Sequence, residues 1–400
     1  MKRLLPLAGL LLTGAMPSLA QAELYYEKSG NVSLEARYFA DSDADQQQTG
    51  MQLSIAAQPK LLWEWNGGDD AVTLEVFKRF LDSDDERNHF DLRDLSWVHV
   101  ADSFESRIGI RRVFWGVTEF QHLVDVINQT DGVEAPDGED KLGQPMVNVS
   151  LVRDWGIVDV FVLPYFRERT FASEEGRFRP ALVVDADHAQ YESDDEQKHI
   201  DYALRWSHYI GDFDIGLHAF KGTNRDPLLN AELQGSEIVL VPYYAQMTQF
   251  GLDLQATIDS WLWKFETIHR NTQPENYWAA QGGLEYTFYG VMDSNADVGV
   301  LTEYGWDQRG EDAGVLAQND VFAGARLTFN DVDDSALLIG GGYDLDYGST
   351  SLVVEGSKRV GESFKLSIDG NLFLADDSDD AVLYSIREDD FVQLTLEYFY

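Results

Sequence analysis

The charged side chains around residues 107–140 of this 400-residue chain are those whose types and spacing could do chemistry. Arg107 and Arg111 lie an even number of positions apart, so on a β-strand they point to the same side. A segment of about thirty residues, 113–142, follows them and carries several carboxylates. A basic wall opposite an acidic segment would create an electric field across a narrow aqueous gap. Such a field orders water and selects solutes by charge and dipole.

We therefore predict a constriction set made of three basic residues and five acidic ones: Arg93, Arg107, Arg111, Asp125, Glu134, Asp137, Glu139 and Asp140. The arginines could equally form ordinary salt bridges that anchor the segment, and the two roles are compatible. Further charged candidates for a water-filled interior carry both signs: Glu35, Arg37, Asp201, Arg205, Lys264, Glu266, Arg326, Glu355 and Arg359. Mixed charges within an acidic chain predict a mild preference for cations rather than a phosphate site.

Sequence motifs for metals, cofactors and covalent catalysis are incomplete. Asp41, Asp43 and Asp45 resemble the start of a calcium loop, but Gln46 replaces the required glycine and Gln52 the bidentate glutamate. The eight histidines lack zinc spacing, and no nucleophile elbow, P-loop or dinucleotide fingerprint is present. We predict no metal, no cofactor and no catalytic residue. The acidic loops leave weak binding of divalent cations open.

The elements that must position these charges are β-strands. In the last eleven residues one apolar face alternates with a polar face made of Gln393, Thr395 and Glu397, and the apolar face comprises Val392, Leu394, Leu396, Tyr398 and Tyr400. Comparable alternation elsewhere predicts about eighteen strands. Sixteen is the alternative, because segments 50–65, 89–100 and 236–258 are ambiguous in register or length.

The connections between these strands alternate between tight and long. Eight tight turns are predicted, at 66–70, 101–103, 153–155, 211–212, 259–260, 290–295, 331–334 and 361–363. The others are longer and more acidic, notably 113–142, 167–197, 222–236 and 307–318. Short turns on one side and long loops on the other are typical of outer-membrane barrels. We predict an all-β fold, a transmembrane antiparallel β-barrel with short periplasmic turns and long acidic external loops.

The two ends of the chain agree with export to the outer membrane. Residues 1–22 begin with Lys2 and Arg3, continue through an apolar stretch and end in the small-x-small sequence Ala20-Gln21-Ala22, which predicts a signal peptide. An exported chain that closes with an aromatic-ended strand resembles a bacterial outer-membrane β-barrel of the porin type. The resemblance implies that Tyr398 and Tyr400 are the signal for the barrel-assembly machinery. It also implies contact with outer-membrane lipid and lipopolysaccharide, a homotrimer, and an inward fold of segment 113–142.

A shorter motif resembles a poorly characterised porin-like family. It runs from Arg107 to Gly116 through Trp115, followed by the segment Asp125-Val126-Ile127-Asn128. Gln129 stands where the family has proline, so the match is partial.

Composition limits the remaining possibilities. The chain has 30 Lys and Arg residues against 70 Asp and Glu, a formal net charge of −40, which excludes nucleic acid as a partner. It has no cysteine. We expect one barrel domain, residues 23–400, in the bacterial outer membrane. The expected function is passive diffusion of small hydrophilic solutes or ions, with a barrel enzyme (Asp187-His188 is the single local pairing to consider) or a non-conducting structural or adhesive barrel as alternatives.

Overall fold

The computed structural model describes residues 24–41, 48–81, 83–134, 137–273 and 275–400, so the predicted signal peptide lies outside the described residues. In chain order the strands are β1 (Tyr25–Phe39), β2 (Met51–Trp65), β3 (Asp70–Leu81), β4 (Phe90–Val100), β5 (Glu105–Arg111), β6 (Gln144–Arg153), β7 (Gly156–Leu163), β8 (Gln190–Tyr191), β9 (Asp201–Ile210), β10 (Phe213–Thr223), β11 (Leu228–Gln234), β12 (Glu237–Tyr244), β13 (Gln246–Ile258), β14 (Trp261–Thr272), β15 (Asn276–Phe288), β16 (Asp297–Asp307), β17 (Asn319–Thr328), β18 (Ala336–Asp344), β19 (Thr350–Val360), β20 (Phe364–Leu374) and β21 (Phe391–Phe399). A single α-helical turn, α1 (Leu383–Ile386), precedes β21.

Eighteen of these strands form one closed antiparallel sheet. Neighbours in sequence pair with each other around the barrel, and β1 pairs with β21 from Asn31 opposite Phe399 to Phe39 opposite Phe391. Closure leaves no unpaired sheet edge, so the backbone N–H and C=O groups of the wall are paired without water. The prediction of an all-β barrel with eighteen strands is confirmed, and the alternative of sixteen is wrong.

The three segments with ambiguous patterns are the source of the alternative count of sixteen strands. Segments 50–65 and 89–100 form β2 and β4, and the pairing of β3 with β4 shifts register between Glu75 and Val76. Segment 236–258 contains two strands of different sheets. Strand β13 belongs to the barrel, whereas β12 pairs with β11 and β8 in a separate three-stranded sheet. The sequence pattern did not separate this small sheet from the barrel.

The connections alternate as predicted. All eight tight turns lie at the end of the barrel that also holds the N-terminus of β1 and the C-terminus of β21. The opposite end carries the long connections, of which 112–143 and 164–200 are continuous loops with little regular structure. No helix among the described residues is long and apolar enough to cross a membrane.

The two faces of each strand have opposite chemistry. On β21 the apolar Leu394 is 50% exposed on one face, whereas the polar Gln393 and Thr395 on the other face are half-buried. Exposed apolar side chains recur at alternate positions on the other barrel strands, as for Leu34, Leu204 and Leu366. A closed barrel with apolar side chains outside and polar ones inside requires lipid around it. Near the tight turns the outer face carries aromatic rings in contact, with centroids 4.6 Å apart for Trp261 and Tyr286, at the level where amphipathic rings prefer to lie.

The inside–outside assignment predicts that arginine is tolerated at Thr395 and not at Leu394. Leu394→Arg would place a charge in lipid at a cost of about 2–4 kcal/mol near the bilayer midplane, whereas Thr395 lies on the inner face opposite Glu35. The measurement is the unfolding free energy of both variants, refolded into phospholipid vesicles. Equal destabilisation by the two substitutions would contradict the assignment.

Candidate constriction in the barrel lumen

Loop 112–143, which joins β5 to β6, folds into the barrel. Its first half is apolar, and Trp115, Val124 and Ile127 are almost fully buried. They pack against inward side chains of the wall strands from β6 to β15. The buried cluster contains Trp115, Val124, Val126, Ile127, Met146, Phe161, Leu163, Ala203, Phe220, Met247, Ile268, Tyr277 and Ala279. The wall therefore carries an apolar patch inside the lumen, and the loop covers it.

Two wall carboxylates hold the backbone of this loop. Glu266 on β14 is fully buried and accepts hydrogen bonds from the backbone N–H groups of Val117 (2.6 Å), Thr118 (3.0 Å) and Val124 (3.2 Å). Glu303 on β16 accepts the next N–H groups, those of Glu119 (2.8 Å) and Phe120 (3.2 Å). Residues 117–124 of the loop form no β-strand, so their backbone N–H groups have no partner strand. The two carboxylates supply the hydrogen-bond acceptors that these buried N–H groups need.

The tip of the loop is held by arginines of the opposite wall. The guanidinium of Arg79 on β3 binds the Glu134 carboxylate through Nε and Nη2, at 3.0 and 2.5 Å from Oε2. Arg93 on β4 binds Asp131 at 2.6 Å. Asp131 also lies 3.0 Å from His89 Nε2 and accepts a hydrogen bond from Thr170. The loop therefore crosses the lumen and is attached on both sides.

The structure brings together only part of the predicted constriction set. Arg93 meets the loop as expected, and Glu134 meets a basic wall, but its partner is Arg79 rather than Arg107 or Arg111. Arg107 pairs with Glu105 on its own strand, and Arg111 donates a hydrogen bond to Asn148 at 3.3 Å. The strand β5 lies beside the root of the loop, whereas the acidic tip reaches β3 and β4.

The remaining predicted loop carboxylates stay near the loop. Asp125 is buried, 3.4 Å from Lys141 Nζ within the same loop. Asp137 is exposed and accepts the backbone N–H of Glu139, whose own carboxylate lies 3.7 Å from His122 Nε2. Asp140 is half-buried, and its backbone carbonyl accepts the N–H of Asp131.

Several of the charged residues predicted to line the lumen are buried in ion pairs or hydrogen bonds and are not exposed to water. Glu35 lies between Arg79 (3.0 Å) and Arg87 (2.8 Å). Arg37 donates to Gln393 at 2.6 Å, with its guanidinium 4.9 Å from the ring centroid of Phe391. Similar pairs join Asp201 to Arg225 and Arg205 to Asp253, and Glu266 lies beneath the loop.

The other predicted lumen residues lie toward β14–β20. Lys264 (3.1 Å) and Arg326 both contact Glu119 of the loop. Arg359 pairs with Asp334 of a tight turn, at the end of the barrel rather than at its waist. Glu355 is exposed on the inner face of β19, directly opposite Asp369 on β20.

Glu355, Asp369, Asp137 and Glu139 form what we call the acidic gap. Glu355 experiences the negative charges of Asp369, Glu139 and Asp137, so the loop and the β19–β20 wall face each other across it. No Lys or Arg lies within ion-pair distance of any of the four among the described residues. Arg79, Arg87 and Arg93 are paired with buried carboxylates. In the acidic gap the one ion-pair partner among the described residues is His122, beside Glu139, and the positive charge of Arg37 on β1 acts on Asp369 and Asp137.

A second loop, 164–200, also folds inward. The sequence predicts a long connection at 167–197 but not its inward course. The buried Arg177 of this loop binds Asp389 (3.1 Å) at the far rim, and the adjacent Phe178 packs near Phe39 and Phe391 of β1 and β21. The loop therefore spans the external mouth from β7 to the closure of the barrel. The loop is also attached to the rest of the chain by Thr170, which donates to Asp131, and by Arg167, which binds Asp91 of β4. These partners are distant in sequence, so no short window of the sequence shows them.

His89, in the loop between β3 and β4, is the titratable group beside the tip of loop 112–143. Burial opposes its charge, but the hydrogen bond to Asp131 and the negative charges of Asp131 and Glu134 outweigh burial and raise the pKa of the imidazole above its ordinary value. The protonated form therefore adds to the attachment of Asp131, which already binds Arg93.

Comparison with known proteins supports the fold. No family model matches the sequence, and no curated protein matches it. Among solved structures, OccAB1 of Acinetobacter baumannii superposes with a TM-score of 0.54 at 8% identity, covering 95% of this chain and 98% of that one. A mutant of the Rh. blastica porin gives 0.46 at 11% identity, covering 94% and 100%, and the trimer form of OmpT, an outer membrane protein of Vibrio cholerae, gives 0.45 at 10%, covering 94% and 99%.

The closed barrel, its apolar outer belt and the similarity to OccAB1 together decide the fold. The chain has the porin-type outer-membrane β-barrel fold. The predicted localisation in the bacterial outer membrane is confirmed. At 8% identity the similarity to OccAB1 concerns the fold alone.

Removal of the Glu266 carboxylate should loosen loop 112–143. Glu266→Ala leaves three loop N–H groups without their acceptor, at about 1–3 kcal/mol for each group that stays buried. We expect faster hydrogen exchange at Val117, Thr118 and Val124, measured by mass spectrometry of the folded protein. Glu355→Ala removes an inward carboxylate that accepts no loop N–H and is the matched control. Unchanged exchange in Glu266→Ala would contradict the attachment.

The raised pKa of His89 predicts a stability contribution that depends on pH. The folded-state value exceeds the unfolded one, so the contribution is complete below about pH 6.5 and is lost as pH rises through the folded value. The unfolding free energy of wild type should therefore exceed that of His89→Gln most at pH 5.5, with a smaller difference at pH 8.5. His188→Gln, at an exposed site, is the control. A difference that grows toward pH 8.5 would refute this.

Proposed function

We propose that the barrel is a channel for passive diffusion of small hydrophilic solutes or ions across the outer membrane. The observation that carries this proposal is the exposed, inward-facing Glu355 opposite loop 112–143. A charged side chain in the middle of a transmembrane wall keeps its exposure only where water reaches it. The acidic gap is then the constriction through which solutes pass.

We further propose a mild preference for cations. The Arg79, Arg87 and Arg93 guanidinium groups are matched by Glu134, Glu35 and Asp131, so these three pairs contribute little net charge to the lumen. Among the described residues no Lys or Arg forms an ion pair with the four carboxylates of the acidic gap, of which Glu139 lies 3.7 Å from His122 Nε2. The whole chain carries a formal charge of −40. A negative ring or wall at a constriction raises the local cation concentration.

Single-channel recording in planar bilayers tests both parts of the proposal. In a KCl gradient we expect discrete conductance steps and a reversal potential of the sign given by K⁺ permeation. The preference should weaken as salt rises, because the Debye length falls from about 10 Å at 0.1 M to about 3 Å at 1 M.

The double substitution Glu355→Gln and Asp369→Asn should reduce the permeability ratio for K⁺ over Cl⁻ by about twofold or more at 0.1 M salt. The matched control is Asp154→Asn with Asp212→Asn, which removes the same charge from tight turns. A folded barrel without conductance would refute the channel. An equal change in the control would refute the acidic gap as the selective region.

A further inference from the structure

His122, in the inward loop 112–143, is a titratable group that lies beside the acidic gap. Its Nε2 atom is 3.7 Å from Glu139 Oε1 of the same loop. The imidazole is half-buried, whereas the Glu139 side chain is 64% exposed and belongs to the gap. The ring therefore lies next to one of the four carboxylates that face the proposed solute path.

A second carboxylate lies near the opposite edge of the ring. A Cβ on Gly116 would come within 2.9 Å of His122 Nδ1 and 3.2 Å of Glu266 Oε1, so the ring and this carboxylate of β14 approach each other beside a glycine. Gly116 has a φ of +150°, which favours glycine, and a side chain at this position would displace the ring. His122 therefore lies between an exposed carboxylate and a fully buried one.

The remaining contacts of the ring determine which nitrogen takes up a proton. Phe114 packs edge-on against the imidazole, with ring centroids 4.7 Å apart and an interplanar angle of 84°. Nδ1 is buried and has no hydrogen-bond partner among the described residues. In the neutral ring we therefore assign the proton to Nε2, which faces Glu139, so that Nδ1 accepts the second proton.

The charged groups around His122 favour the imidazolium. The loop contributes Glu139, Asp125 and Lys141, and β14 contributes Glu266. Burial opposes the charge of the ring, but contact with Glu139 and the negative charges of Glu266, Glu139 and Asp125 outweigh burial and raise the pKa of His122 above its ordinary value. Lys141 lies 3.4 Å from Asp125, which it neutralises. The ring therefore changes its charge near neutral pH.

The other inward histidines differ from His122 in their surroundings. His89 and His199 pair with carboxylates that are buried, and His218 is itself buried in the wall. Among the described ion pairs of histidine, that of His122 is the one whose carboxylate, on Glu139, is mostly exposed. A proton on His122 therefore changes the charge that the lumen water meets.

We propose that His122 makes the charge selectivity of the acidic gap depend on pH. This inference rests on the proposed channel and names a further residue that sets its selectivity. The imidazolium cancels one of the four negative charges of the gap, those of Glu355, Asp369, Asp137 and Glu139. The neutral ring leaves all four to attract cations. The channel is therefore less selective for cations in weak acid than in weak base.

Reversal potentials in a KCl gradient near 0.1 M salt, recorded from pH 5.5 to pH 8.5, test the proposal. In wild type the permeability ratio for K⁺ over Cl⁻ should rise by about twofold across this range, with its midpoint above about pH 6.5. His122→Gln should keep the high ratio at pH 5.5, and His122→Lys, which stays charged, should keep the low ratio at pH 8.5. His188→Gln, at an exposed site outside the gap, is the matched control and should keep the wild-type profile.

Glu139→Gln provides a second variant at an exposed position, where folding is not at risk. Loss of this carboxylate removes a contact that favours the imidazolium, so the midpoint should move to lower pH. Hydrogen exchange at the C2 atom of the His122 ring, followed by mass spectrometry, measures the same titration without conductance. The exchange midpoint should move in the same direction in Glu139→Gln.

The outcomes separate this inference from the proposed function. A folded barrel without conductance, or one without cation preference at pH 8.5, would overturn the proposed function and the role of His122 with it. A cation-selective channel whose ratio does not change with pH, or changes equally in His122→Gln, would overturn the role of His122 alone. An exchange midpoint that Glu139→Gln leaves unchanged would also overturn that role.

Discussion

The closure of the sheet between β1 and β21 is the constraint on which the rest of the structure depends. A strand wall in lipid must pair every backbone N–H and C=O within itself, and a barrel without an edge does so. Closure with eighteen strands makes the lumen too wide for wall side chains to fill. The lumen must therefore be occupied by water, by loops, or by both.

Two loops meet this demand in different ways. Loop 112–143 covers an apolar patch of the inner wall and is attached by charged groups at both ends, Glu266 on one side and Arg79 on the other. Loop 164–200 is attached through Arg167 to Asp91 and through Thr170 to Asp131, and Arg177 and Phe178 attach it at the far rim, so it spans the mouth. Buried ion pairs of this kind are costly to break from one side, so they fix the position of a loop more than they add stability. The acidic gap lies between loop 112–143, at Asp137 and Glu139, and the inner wall at Glu355 and Asp369.

The barrel could be predicted from the sequence because the patterns that indicate it lie within short stretches of the chain. Alternation in β21, the eight tight turns and the apolar composition of residues 113–127 are each visible in a short window. The wall residues that bind loop 112–143 are not visible in a short window. Arg79 and Glu134 are 55 positions apart, and Glu266 is 149 positions from Val117. Arg107 and Arg111 were chosen as neighbours in sequence, whereas the loop tip reaches strands that only the closed barrel brings near it. The small sheet of β8, β11 and β12 is not visible in the sequence because β8 has two residues and β12 ends at Tyr244, with one residue before barrel strand β13 begins at Gln246.

Glu355 faces water inside the barrel, while Leu394 faces lipid outside. The chain has no cysteine, so a single introduced thiol reports its own surroundings. The most direct measurement is the rate at which a charged, water-soluble thiol reagent modifies Glu355→Cys and Leu394→Cys in barrels folded into vesicles. We expect rapid modification of Glu355→Cys, accompanied by reduced conductance, and protection of Leu394→Cys until the barrel is unfolded. Protection of Glu355→Cys with rapid modification of Leu394→Cys would contradict it.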